Sequence, residues 1–90
     1  MTKQKQQALL GLKKAQGTIS KIIEMTENDI YCIDIMQQNL AVVGLLKAAH
    51  TQLFENHLKT CFQSAFKTRN EAKKNKMIKE ILKVTKLFNK

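Results

Sequence analysis

Residues 30–66 decide the fold, and they read IYCIDIMQQNLAVVGLLKAAHTQLFENHLKTCFQSAF. The stretch has no proline, and Gly44 is its only glycine. Apolar residues recur through it at three- and four-residue spacing, which is typical of a helix. They include Ile33, Met36, Leu40, Val43, Leu46, Leu53, Phe54, Leu58, Phe62, Ala65 and Phe66. The sequence therefore predicts one helix over residues 30–66, about 50 Å long.

Two shorter helices are expected on either side of this long one. Residues 4–27 carry an apolar stripe at helical spacing, and Thr26 to Asp29 read as a stop and restart. Residues 67–76 are polar, and a third apolar pattern covers residues 77–89. We predict an all-α fold, with residues 1–90 forming a single domain of three helices. A 50 Å helix is too long for a compact chain of 90 residues, so we expect it to pair with a partner helix.

The net charge of +9 is concentrated at the two ends of the chain. Residues 1–23 carry five Lys and no acid, and residues 67–90 carry eight Lys and one Arg against two Glu. The middle, residues 24–66, has two Lys against five acids. Basic ends around an acidic middle favour a polyanion as the partner, above all DNA.

Several classes of protein are disfavoured. No apolar run approaches the roughly 20 residues that cross a bilayer, and residues 1–7 lack the apolar core of a signal peptide. The two cysteines are then expected to be reduced, in a cytoplasmic protein. The sequence contains no acid–base pair, nucleophile constellation or phosphate loop. It therefore indicates neither an enzyme nor a small-molecule substrate.

Cys32, His57 and Cys61 form a candidate metal-ligand set. His57 and Cys61 stand four residues apart, which puts both on one face of a helix. Two thiolates and an imidazole favour Cu(I), with Zn(II) as the main rival. The structural alternative is two buried thiols and a surface histidine.

The length of the predicted helix determines whether the three candidate ligands can meet within one chain. Along one continuous helix, Cys32 and His57 would lie about 37 Å apart, whereas ligands sit about 2.0–2.3 Å from the metal. Either the helix breaks near Gly44 and folds back, or Cys32 meets His57 and Cys61 of a second protomer. We favour the site shared between two protomers, because an antiparallel pair of helices would form two equivalent copies of it.

Three segments resemble the CsoR/RcnR family of metal-sensitive bacterial repressors: YCIDIMQQ (31–38), AV (41–42) and ENHLKTCF (55–62). The 25-residue and four-residue ligand spacings are similar to those of its copper-sensing branch. His57 argues against the persulfide branch, and Cys61 against the formaldehyde branch. The nickel and cobalt branch is disfavoured because position 61 is Cys and no His precedes His50.

This resemblance implies an antiparallel four-helix-bundle dimer, with dimers pairing into a homotetramer. It implies that the apo protein binds operator DNA and that Cu(I), held by Cys32 of one protomer and by His57 and Cys61 of the other, releases it. It also implies that Tyr31 and Glu80 surround the metal-bound histidine as a relay. The chain has Gly11 and Ala48 where the family usually has basic residues. Phosphate contacts would then come from Lys3, Lys5, Lys13, Lys14, Lys21 and Lys47.

Two alternatives stay open from the sequence. One is a thiol sensor of the same family, in which Cys32 and Cys61 join through a di- or polysulfide between subunits. The other is a basic helical copper-binding protein that does not regulate DNA.

Overall fold

A computed structural model describes residues 1–89, and their regular structure is entirely helical. Helix α1 spans Lys3–Glu27 and α2 spans Cys32–His57. A π-helical turn, Leu58–Phe62, and a short helix α3, Gln63–Phe66, come directly after α2 in the chain. Helix α4 spans Glu71–Phe88. The predicted all-α class with three helical stretches is confirmed.

The predicted helix boundaries hold for the first two stretches, within two residues at each end. The third was placed wrongly, because α4 begins at Glu71 and not near residue 77. Asn70 caps it: the Asn70 side chain accepts a hydrogen bond from the backbone N–H of Lys73 at 3.2 Å. Glu71 in the first turn complements the helix dipole. The run of polar residues therefore forms the capped first turns of a helix and is not a loop.

Helices α1 and α2 form an antiparallel hairpin within a compact unit, Met1–Asn56. Its contact surface is lined by small residues at seven-residue spacing: Ala8 and Ala15 on α1, and Val42 and Ala49 on α2, all buried. A Cβ placed on Gly11 would lie 3.8 Å from the Leu45 carbonyl oxygen and 3.9 Å from the Ala49 Cβ. Small side chains on both helices thus let the two backbones approach closely.

The turn between α1 and α2 is set by backbone hydrogen bonds. The N–H of Asp29 donates to the Thr26 carbonyl at 3.1 Å, and that of Ile30 donates to Met25 at 3.0 Å. Asp29 has a φ of 55°, in the left-handed region that Asp tolerates better than most residues. This pair of bonds is a Schellman motif, which ends α1 and reverses the chain.

A buried polar contact closes the open end of the hairpin. Thr2 caps α1 by accepting a hydrogen bond from the Lys5 N–H at 3.2 Å. The Thr2 hydroxyl also donates to the side-chain oxygen of Asn56, near the end of α2. Asn56 is buried, so this hydrogen bond fixes the register of α1 against α2.

A second compact unit begins at His57. Ala65 of α3 is buried there, and α3 and α4 contact each other. The Thr68 hydroxyl donates to the Ala65 carbonyl at 2.7 Å in the turn that follows α3. Lys74 of α4 forms an ion pair with Glu71 at 3.5 Å and lies 5.9 Å from the centre of the Phe66 ring.

The buried apolar residues of the described chain are all small or medium-sized. They are Ala8, Ala15, Val42, Ala49 and Ala65. The larger residues of the apolar stripe on α1 are exposed instead: Leu9, Leu12, Ile19 and Ile23. A chain of this size needs a larger core or a partner to be stable, and a single copy of these helices leaves many of its large apolar side chains exposed.

Candidate metal centre

Cys32 is the first residue of α2, and its thiol is free and exposed. The preceding residue, Tyr31, begins the helix with its backbone: the Tyr31 carbonyl accepts from the N–H of Asp34 at 3.0 Å and of Ile35 at 3.3 Å. Asp34 supplies a negative charge in the first turn. The first predicted ligand thus lies at a well-defined helix N-terminus, with its sulfur open to a partner.

His57 is the last residue of α2 and is half-buried. Helix α2 is continuous through Gly44, so the fold-back alternative is wrong. At 1.5 Å per residue, the two ends of α2 lie about 37 Å apart. Within residues 1–89, no three or more His, Cys, Asp or Glu side chains of one chain are grouped to hold a metal. A single copy does not bring the predicted ligands together.

Cys61, a second free and exposed thiol, lies in the π-helical turn Leu58–Phe62. The Thr60 hydroxyl is 3.6 Å from the Cys61 sulfur and donates to it. A π-turn takes one residue more than an α-turn, and such turns are frequent at functional sites. His57 and Cys61 remain on the same side of the helix, because four residues make slightly less than one π-turn.

One side of α2 carries a surface that we call the outer stripe: Cys32, Met36, Asn39, Val43, Leu46, His50, Leu53 and His57. Its members recur every three or four residues, so they follow one face of the helix. The apolar members are exposed, at 57% for Met36, 38% for Val43, 43% for Leu46 and 39% for Leu53. The two outermost members are both candidate metal ligands.

The outer stripe is symmetric about its midpoint, which lies between Gly44 and Leu45. Each member has a counterpart at the same distance on the other side, so that Val43 matches Leu46 and Met36 matches Leu53. The same operation matches Cys32 with His57. The His50 ring lies 6.3 Å from that of Phe54, centre to centre.

Tyr31 and Glu80 were predicted to surround the metal-bound histidine. Tyr31 is 70% exposed in the turn before α2, and Glu80 is exposed on α4. The relay through these two side chains stays a prediction.

All six lysines predicted to contact DNA are exposed. Lys3, Lys5, Lys13, Lys14 and Lys21 lie on α1, and Lys47 lies on α2. Gly11, where the family usually has a basic residue, faces α2, whereas Ala48 is at the surface. The positive charge of this hairpin therefore comes entirely from lysine side chains that reach solvent.

Two features of the site were missed at the sequence level. One is the π-turn around Cys61, for which the sequence offers no breaker or composition change. The other is the hydrogen bond between Thr2 and Asn56, which fixes the residue next to His57. A threonine just before a helix is an N-cap signal, and it could have drawn attention to Thr2.

Comparison with known proteins assigns the family of this helical chain. The family described as "Metal-sensitive transcriptional repressor" matches residues 4–87. The chain belongs to this family, whose members are transcriptional regulators and not enzymes.

Individual relatives carry more specific names. The chain is 45% identical over 65 residues to the "Copper-sensing transcriptional repressor CsoR" of Mycobacterium ulcerans, covering 72% of this chain and 56% of the relative. It thus spans little more than half the length of that relative. The repressor of the same name from Bacillus subtilis is 36% identical over 89 residues, covering 99% and 85% of the two chains.

A solved structure is also similar. It is the copper-sensing repressor CsoR with Cu(I) from Geobacillus thermodenitrificans, with a TM-score of 0.84 and 30% identity. The match covers 100% of this chain and 92% of that one. No helix within residues 1–89 has the length and apolar character needed to cross a membrane.

Proposed function

We propose that this protein is a Cu(I)-responsive transcriptional repressor of the cytoplasm. It binds operator DNA in the absence of Cu(I) and is released when Cu(I) binds between two subunits. Each site takes Cys32 from one subunit, and His57 and Cys61 from its partner. The observation that carries the proposal is the symmetric outer stripe, which has a candidate ligand at each end. The copper-sensing names of the relatives support the choice of metal.

The symmetry of the stripe selects the way in which two copies pair. A twofold axis at the midpoint of α2 sets Val43 against Leu46 of the partner subunit, and Met36 against Leu53 of the partner subunit. Large exposed apolar side chains then cover one another, which removes apolar surface from water. The same axis brings Cys32 beside His57 of the partner subunit. Burial of the stripe and assembly of the metal site thus follow from one operation.

The donor set suits a soft monovalent ion. Two thiolates and one imidazole are the ligands that select Cu(I) over hard cations such as Mg²⁺. Both thiols are free and exposed, so neither is consumed by a disulfide within the chain. When bound, the ion would supply a bond between subunits, with Cys61 and His57 on one side and Cys32 on the other.

The histidine offers a route by which the site affects DNA binding. A ligating imidazole uses one ring nitrogen and donates the N–H of the other to an oxygen acceptor. We expect Glu80 or Tyr31 to provide that oxygen. The resulting contact would favour one arrangement of the dimer, or of a tetramer built from two dimers, over another. The exposed lysines of α1, together with Lys47, would contact phosphates in the arrangement without Cu(I).

Mixed dimers test whether the site is shared between subunits. One chain carries Cys32→Ser, and the other carries His57→Ala together with Cys61→Ser. Neither variant alone can build a complete site. In the mixed dimer, one site contains the intact Cys32 of the second chain and the intact His57 and Cys61 of the first. We expect tight Cu(I) binding at half the wild-type stoichiometry, measured by titration of reduced, oxygen-free protein against a Cu(I) chelator.

Two controls complete the experiment. His50→Ala removes a histidine from the same stripe that is not a proposed ligand, and it should leave the stoichiometry unchanged. X-ray absorption of the wild type should show two sulfur ligands and one nitrogen ligand. Absence of tight binding in the mixed dimer would contradict the shared site.

DNA binding separates the repressor from its alternatives. We expect the reduced protein to bind the region upstream of its own gene, and Cu(I) to release it. Release by polysulfide that persists in His57→Ala, without release by Cu(I), would instead indicate the thiol sensor. DNA binding that Cu(I) leaves unchanged would indicate a basic copper-binding protein without regulation.

A further inference from the structure

Helix α4 carries a row of exposed lysines that the proposed metal and DNA sites do not use. Lys76, Lys79, Lys83 and Lys86 recur at spacings of three, four and three residues. We propose that this row, which we call the α4 lysine row, is a second surface that contacts the phosphates of duplex DNA. The inference rests on the proposed function, because it assumes that the protein binds DNA.

The geometry of the row suits a run of phosphates. At 3.6 residues per turn, the four side chains fall within about 80° of one another around the helix. They extend about 15 Å along its axis. Phosphates of one DNA strand follow one another every 3.4 Å along the duplex, so the row spans about four or five nucleotides.

In the described part of the chain, no acidic side chain forms an ion pair with the lysines of the row. Among residues 1–89 the only ion pair joins Lys74 to Glu71, and it lies outside the row. Glu80 is the one other acid on α4, and it does not come within 4.0 Å of a lysine nitrogen of the row. Four like charges on one helix face repel one another. They favour the binding of a polyanion, because binding releases the counterions condensed on it.

The contacts that hold α4 in place lie away from the α4 lysine row and leave it accessible. Met77 and Ile81, four residues apart on another side of α4, are half-buried, and the Asn70 cap fixes the first turn. Ile78, Leu82, Leu87 and Phe88 of α4 are exposed. A helix that lies on a membrane inserts its apolar side among the lipids, so a membrane surface is the alternative that the test below separates from DNA. Lysine is a point charge that contacts phosphate without reading bases. Because the proposed function supplies DNA as the partner, DNA phosphate is the ligand that we assign to the row.

The salt dependence of DNA binding tests the proposal. Glutamine keeps the length of lysine and has a similar helix propensity, so Lys76→Gln/Lys79→Gln/Lys83→Gln/Lys86→Gln should fold as the wild type does, checked by circular dichroism. Each lost phosphate contact lowers the slope of log K against log salt by about 0.9. We expect the slope to fall by roughly three to four for each α4 lysine row that contacts the DNA, and the affinity at 0.15 M salt to fall at least roughly tenfold. The Cu(I) affinity should not change.

A pair of double variants separates the row from net charge alone. Lys79→Gln/Lys83→Gln removes two charges from the centre of the row. Lys67→Gln/Lys73→Gln removes two exposed charges nearby that are not part of it. We expect the first pair to reduce the slope by about two for each row that contacts the DNA, and the second to change it much less. Equal effects of the two pairs, or an unchanged slope in the fourfold variant, would overturn the proposal.

Two further outcomes are distinguishable from these. If the wild type binds no DNA at low salt, the repressor function itself fails, and the α4 lysine row loses its ligand with it. If the fourfold variant keeps the wild-type slope for DNA but loses binding to vesicles of anionic lipid, the row serves a membrane surface and the DNA proposal is wrong.

Discussion

The two sides of α2 differ in the size of their side chains and in what covers them. The side that faces α1, which we call the inner face, carries Val42, Ala49 and Asn56, all buried within one chain. The outer stripe carries larger apolar residues, such as Met36 and Leu46, and these are exposed. Helix α2 therefore has one side that is buried against α1 and another side whose large apolar residues are exposed.

This difference separates what one chain does from what two chains do. Small side chains on the inner face let α1 approach closely, and they close the hairpin without a large core. The outer stripe has the apolar area that the inner face lacks, and its symmetry fits a second copy. Both proposed ligands of α2 lie on the outer stripe, so the proposed metal site would use the side of the helix that a single chain leaves open.

The largest expected effect comes from a charge placed at the centre of the outer stripe. Leu46→Glu should separate the subunits, because the twofold axis places the change in the interface twice. Losing a buried leucine at each of two places costs about 3–6 kcal/mol. The dissociation constant of the dimer should therefore rise more than about a hundredfold, measured by analytical ultracentrifugation.

Ala41→Glu is the matched control, since Ala41 is exposed on the side of α2 away from the outer stripe. This variant should sediment as a dimer, as the wild type is expected to do. A dimer that survives Leu46→Glu but not Ala41→Glu would place the interface elsewhere on α2.

A smaller effect is expected from overpacking the inner face. Ala49→Leu puts three additional carbon atoms where α1 lies close, since a Cβ built on Gly11 would lie 3.9 Å from the Ala49 Cβ. Its free energy of unfolding should fall by about 2–3 kcal/mol, as measured by urea denaturation. Ala48→Leu makes the same change at the neighbouring exposed position, where it should alter the stability by less than about 0.5 kcal/mol. Equal losses for the two variants would argue against close packing on the inner face.

The smallest effect concerns the polar end of the inner face. Thr2→Ala removes the cap of α1 and the hydrogen bond to Asn56 together. We expect a loss of about 1–2 kcal/mol in the free energy of unfolding, and amide hydrogen exchange should show faster opening near Lys5. Thr51→Ala loses only a bond within α2, from its hydroxyl to the Lys47 carbonyl, and should change the stability much less. A Thr2→Ala variant as stable as the wild type would show that the N-terminus does not fix the hairpin.

The helices were predictable because helical spacing is a local property of the chain. The second helical stretch was predicted to within two residues, since no proline or turn cluster interrupts residues 32–66. The start of α4 was not predicted, because the lysines and asparagines of residues 67–76 resemble a loop. The structure shows that Asn70 caps the helix there. The π-turn was equally hidden, since one additional residue in a helical turn leaves no mark on composition.

The apolar pattern identified large residues, but it did not show which of them a single chain would bury. On α1, large residues of the stripe such as Leu9 and Ile23 are exposed, and the buried positions are Ala8 and Ala15. Alanine contributes little to a search for hydrophobic periodicity, so the surface between α1 and α2 was not apparent.

By itself, the sequence determined the helices, the basic ends, and the identity and spacing of Cys32, His57 and Cys61, because each of these depends on residue type and on distance along the chain. Only the tertiary structure decided that the inner face of α2 is closed by small residues and by the hydrogen bond between Thr2 and Asn56. The physical reason is that packing depends on which side chains meet across helices. That choice leaves the outer stripe exposed, and with it the two ends of the proposed copper site.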